Sequence, residues 1–173
     1  MGWAQATTLI VAIITGAGAV VAAAVTYGLN QRAGRREQQA KEFAEALATI
    51  EEYANMPYRI RRRPNTPEAR QEISAELDKI QSKIAFQHAW LQVEAPKVAA
   101  AYDRLVRAAR SEAGEQMKKA WTQPPPTLDE EMSLGGAYPR VEIDAARSDC
   151  IKAMCIALGQ QKAEIQTLPS FPR

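Results

Sequence analysis

The chain has a single histidine, His88, and only two cysteines, Cys150 and Cys155, among 173 residues. One histidine cannot build a metal centre of several imidazoles or serve both a nucleophile and a second site. The two cysteines stand in neither a CxxC nor a zinc-ligand spacing. Five residues along a helix is about 1.4 turns, which points the side chains apart, so no bond between them is expected. Aromatic residues make up only 6%, too few for a sheet-rich core, whereas alanine, glutamine, arginine and glutamate suit helices. No glycine-rich phosphate loop is present. The nearest match, "TGAG" at Thr15, lies inside an apolar run. Adjacent carboxylates such as Glu51 with Glu52 and Glu130 with Glu131 fall on stretches that read as exposed, and Glu51 and Glu52 would point about 100° apart on a helix, so they are not expected to converge on one substrate atom. The sequence therefore predicts no enzyme, no catalytic residue, no cofactor, no metal and no small-molecule substrate.

An overwhelming charge of one sign is also missing. The net charge is +2. It is graded along the chain: +3 over 32–63, +1 over 64–121 and −2 over 122–173. A nucleic-acid binder needs a basic excess along one face, so that class is disfavoured.

Charge is wholly absent from the first thirty-one side chains. The apolar run 6–29 would extend about 36 Å as a helix, more than the roughly 30 Å of a bilayer core. Trp3 and Tyr27 fall near its two ends, where amphipathic aromatics favour the headgroup region, and Arg32, Arg35, Arg36 and Lys41 follow it. A cleaved signal peptide would carry its positive charge before the run, not after it. These features predict an uncleaved single-pass anchor in the cytoplasmic (inner) membrane, with its N-terminus outside and the remainder in the cytoplasm. Anionic lipid would hold the basic collar, and the cysteines would stay reduced. Four-spaced small pairs, Ala12 with Gly16 and Gly18 with Ala22, would allow two spans to approach closely.

Past the collar, Phe43, Leu47, Ile50 and Ala54 form an apolar stripe, which predicts a helix from about residue 4 to 55 that Pro57 ends. Arg59, Arg61, Arg62 and Arg63 then form a tight basic cluster, a candidate contact for anionic lipid, nucleic acid or an acidic partner. Thr66, Pro67 and Glu68 make a helix start. Downstream, Leu77, Ile84, Leu91, Val98 and Leu105 recur every seven residues, the mark of a helix-pairing stripe. Ile73 and Ile80, then His88, Ala95, Tyr102 and Ala109, take the companion positions. Pro96 interrupts this repeat. Because the spacing survives it, a kink or one-residue break is expected rather than a reversal. His88, on the stripe, reads as an interface histidine. The stretch 122–139, with three consecutive prolines and a Gly-Gly pair, reads as a linker in which Asp129, Glu130 and Glu131 are hydrated. A last helix is expected over 141–166, with Ile143, Ala146, Cys150, Ile151, Met154, Cys155 and Leu158 on its packing face.

The fold class is thus all-α: a transmembrane helix continuing into a cytosolic antiparallel bundle or coiled-coil-like hairpin. Its expected parts are an anchor over 1–30, stalk and hairpin over 31–121, the linker, and a C-terminal helix and tail over 140–173. The exit "LNQRAGRREQQAKEF" and the segment "APKVAAAYDRLVRAA" make most of 1–121 resemble a loose class of small membrane-anchored helical proteins of bacteria and their phages. That resemblance implies no catalytic residue. The function expected is a membrane-tethered interaction protein that pairs with a second copy or a membrane protein. The alternative is a membrane-acting effector, such as a small envelope protein carried by a phage.

Overall fold

A computed structural model describes residues 3–126 and 138–159; of the side chains within 3–29, only that of Tyr27 is described. The described residues are helical and contain no strand. They form α1 (Trp3–Arg61), α2 (Pro67–Glu94), α3 (Pro96–Thr122) and α4 (Val141–Ala157). The chain divides into two compact units, Met1–Lys41 and Glu42–Arg173. In the first, every side chain over 31–38 is exposed. Among the described residues no helix is long and apolar enough to cross a membrane. The span expected over 6–29 involves side chains outside the described set, as does the flanking Trp3.

The second unit is a bundle in which each helix runs antiparallel to the one before it. Its packing follows from apolar residues three and four apart. On α1, Phe43, Ile50, Ala54 and Ile60 are buried. The Phe43 ring meets Trp90 edge-on at 6.2 Å near one end, and Arg59 pairs with Glu76 near the other. Thr66 caps α2 by accepting the Ala69 N–H at 3.2 Å. Its extended backbone (φ −128°, ψ 150°) and Pro67 at the first helical position are what the sequence predicts.

Helix α1 does not stop at Pro57. It continues through that residue to Arg61. A helix-interior proline costs about 3 kcal/mol through its missing N–H and its ring contacts. Here Pro57 is fully buried, between Ala54, Met56 and Ile60, which are completely enclosed. Burial of that turn outweighs the local cost.

Nor does Pro96 merely kink a long helix. The Tyr102 hydroxyl donates to Gln87 Oε1 at 3.1 Å, and the Arg70 guanidinium lies 5.9 Å from the Trp121 ring centroid. A continuous helix would hold Arg70 and Trp121 about 75 Å apart. The chain therefore reverses within one residue. Ala95 (φ −146°, ψ 62°) ends α2 and begins α3. Its N–H donates to Leu91 O at 2.9 Å, and its carbonyl accepts from Val98 and Ala99 at 2.8 and 3.1 Å. Pro96 takes the first helical position of α3, where its missing N–H costs nothing.

The seven-spaced stripe lines the interior on both arms of this hairpin. Ile84, Leu91, Val98 and Leu105 are buried, and Leu77 is partly so. Helix α4 lies against α3, with Ile143, Cys150 and Met154 buried. It ends at Ala157, short of the expected 166: Leu158 closes the helix and Gly159 follows with a φ of 72°. Residues 160–166, and 127–137 of the linker, lie outside the described residues. Tyr138, assigned to that linker by sequence, is a buried core residue.

Candidate functional site

The basic cluster at the end of α1 is the densest group of charge that the sequence singles out, and the fold divides it. Arg63 is 4% exposed. Its guanidinium donates to the carbonyls of Ile60 (2.8 Å), Ala120 (3.0 Å), Trp121 (3.5 Å) and Gln123 (2.8 Å). It also stands 4.9 Å from the Trp121 ring centroid. The last carbonyls of a helix lack intrahelical partners and carry the negative end of its dipole, so a buried arginine there both satisfies and neutralises them. Burial, followed by the charges of Arg70 and Arg61, draws its pKa down, although a guanidinium remains charged in proteins. Arg61 donates to Pro124 O at 2.8 Å, and Arg59 pairs with Glu76. Arg62 is exposed. The cluster proposed for an anionic partner is thus spent largely on joining the ends of α1 and α3, with Arg63 enclosed.

A second polar group sits in the interior. Gln87 Nε2 donates to Thr49 Oγ1 at 2.9 Å, Thr49 donates to Glu45 O at 2.8 Å, and Tyr102 donates to Gln87 Oε1. These residues join α1, α2 and α3 with donors and acceptors matched. Burial raises the Tyr102 pKa well above the usual phenol range. His88 lies at the seam between α2 and α3, its ring stacked on Tyr102 with centroids 6.4 Å apart and its Nε2 4.0 Å from Asp103 Oδ1, while the neighbouring Gln87 is the residue that is buried.

The third group attaches α4. Arg140 Nη2 donates to both Glu51 oxygens at 3.0 and 2.8 Å, and Arg147 lies 3.3 Å from the same carboxylate. Burial works to lower the Arg140 pKa, but the hydrogen bond and charge of Glu51 outweigh it and raise it. The Tyr138 hydroxyl donates to Ala54 O at 2.6 Å, and burial pushes its pKa up to about 12, against the pull of Arg140. Glu112 of α3 accepts the N–H groups of Glu142 and Ile143, each at 3.0 Å, and so caps α4 from outside. Burial pushes the Cys150 thiol up to about 11, with Arg104 acting the other way. Neither Glu112 nor Arg140 stood out in sequence, because each reads as an ordinary surface charge, and Glu51 stood out only as one of two adjacent carboxylates. Gln87 did leave a signal, since it is a polar residue three after Ile84 and four before Leu91 within an apolar stripe.

The collar residues Arg32, Arg35, Arg36 and Lys41 are exposed. Tyr27 is 66% exposed, and its hydroxyl accepts from Gln31 Nε2 at 2.9 Å. Outside the core, Phe86 and Val93 are 66% and 77% exposed on the face of α2 turned away from its buried residues. Among the described residues no group of three or more His, Cys, Asp or Glu side chains could hold a metal ion. Compared with protein-family models, curated proteins and solved structures, the chain matches none.

Proposed function

We propose that the chain is a membrane-tethered helical interaction protein without catalytic activity of its own. The observation that carries this reading is α1, one helix of 59 residues that bears an uncharged N-terminal run, then an exposed basic collar, then the first wall of a packed bundle. The positive-inside rule puts the collar and bundle on the cytoplasmic side of the inner membrane, with the N-terminus outside. Tethering confines the bundle to a thin layer and turns weak contacts into effectively intramolecular ones. The contact surface is not the seven-spaced stripe, which the bundle uses internally. Phe86 and Val93 on α2 are large apolar side chains left exposed, and they are the more fitting contacts for a second copy or a membrane protein. The mutual pairing of Thr49, Gln87 and Tyr102 favours a structural role for the interior polar groups over a reactive one.

The test is made on membranes from cells expressing the full chain. The protein is expected to resist alkaline carbonate extraction, to keep its C-terminal portion shielded from protease added outside spheroplasts, and to yield a crosslinked adduct. Recovery in the soluble fraction would remove the tether. Recovery in membranes solely as an uncrosslinked monomer would remove the interaction role. The effector reading leaves the bundle of 42–159 without a use. An unchanged membrane potential at high expression would eliminate it.

A further inference from the structure

We infer that α4 is a detachable strap: it opens from the bundle as a unit while α1, α2 and α3 stay folded. This goes beyond the membrane-tethered reading and does not depend on it. Three of the seventeen residues of α4 are fully buried, Ile143, Cys150 and Met154, against eleven along α3. They form one seam with spacings of seven and four, so a single face holds the helix. Ala146, Ala153 and Leu158 pack partly buried against the core beside that seam, and the remaining contacts are polar. Arg140, at the N-cap, makes no side-chain cap of its own. Glu112 of α3 fills that role by accepting two backbone N–H groups. The first turn of α4 is therefore satisfied while docked and loses its cap when free, which couples its helicity to docking.

Docking also leaves two donors stranded. Arg140 Nε and Arg147 Nε are buried with no partner, even though both guanidinium groups reach Glu51. Water would satisfy them as soon as the helix lifts, so closure carries a desolvation cost that opening relieves. The other three helices are held by contacts that exclude α4. Arg63 joins α1 to the end of α3, Thr49, Gln87 and Tyr102 join α1, α2 and α3, and Ala95 closes the hairpin. Lifting α4 removes none of these. It uncovers the seam where Cys150 sits beside Tyr102 and Arg104.

The chain carries its own reporters. Cys150 is fully buried and Cys155 is partly exposed, both on α4. The full chain in detergent micelles is treated at neutral pH with N-ethylmaleimide, and labelling of each cysteine is followed by mass spectrometry. Amide hydrogen exchange of α2 and α3 is followed in parallel. Cys155 is expected to label first. Cys150 is expected to follow through an opening much more frequent than the one that exposes the α2 and α3 amides. Glu112→Gln is expected to speed Cys150 labelling about tenfold, the loss of roughly one hydrogen bond to a charged group, with α2 and α3 exchange unchanged. Cys150 labelling no faster than the global opening of α2 and α3 would overturn the proposal. So would a Glu112→Gln effect that was absent or equal in all four helices. If Glu112→Gln does not fold, the comparison of Cys150 with the α2 and α3 amides in the wild-type chain decides.

Discussion

At the residue scale, a few buried polar side chains carry much of the specificity. Arg63 satisfies four carbonyls, three in α1 and α3 and the fourth, that of Gln123, just past the end of α3. Arg63→Ala is expected to lower unfolding stability by about 3 kcal/mol, because the residues of two of the freed carbonyls, Ile60 and Ala120, are buried. Arg63→Lys should recover a minor part, since an ammonium cannot reproduce the planar fork. Chemical denaturation of the three proteins checks this. Gln87 links two hydroxyls, so its effects should be non-additive: Tyr102→Phe is expected to cost about 1–2 kcal/mol in the wild type and close to nothing in a Gln87→Leu background. A double-mutant cycle measures the coupling.

Cys150 sets an alkaline limit on the same scale. Its folded pKa is raised to about 11 by burial, and Tyr138 is raised to about 12. Above pH 9 the unfolded thiol releases its proton while the folded one keeps it. The unfolded state then binds fewer protons, and stability falls with rising pH. The contribution is fully present below about pH 9 and is lost through about pH 11, on the order of 2 kcal/mol for the thiol. Urea midpoints measured between pH 8 and 11 should decline, and Cys150→Ala should decline less steeply over that window.

At the element scale, two prolines act in opposite ways although each looks like a breaker in sequence. Pro96 starts a helix after a one-residue reversal, whereas Pro57 sits inside one that passes through it. Position relative to the core makes the difference. Ala95 leaves α2 at a point where both flanking helices can bury the same stripe, while the turn around Pro57 is enclosed on its apolar side. Pro57→Ala is expected to raise the melting temperature, because recovering the hydrogen bond and relieving the ring contact, about 3 kcal/mol, exceeds the loss of a few buried atoms. Calorimetry would show it.

At the scale of the whole molecule, the seven-residue repeat, read from sequence as a helix-pairing stripe, is used within the bundle itself. Ile84 is 2% exposed and Leu91 1%, so a charge there destroys the fold before it reports on any partner. Ile84→Asp is expected to destabilise by more than about 4 kcal/mol, whereas Phe86→Ser, on the outer face, should stay within about 0.5 kcal/mol. Thermal melts of both variants distinguish the two faces of α2. Partner capture belongs with Phe86→Ser, which changes the surface and leaves the bundle intact.

Helical character, the capped start at Thr66 and the apolar faces of α2, α3 and α4 were decided by the sequence itself, because they rest on periodicity and capping within a few residues of each other. The graded charge was equally legible, and so was the uncharged run that motivates a tether. The reversal at Ala95, the passage of α1 through Pro57 and the enclosure of Arg63 were decided only in three dimensions. Each trades a local cost, a lost hydrogen bond or a buried charge, against burial and partners contributed by distant helices. No local pattern records a compensation of that kind, and the same holds for Glu112, which becomes the cap of α4 only once the chain has folded back upon itself.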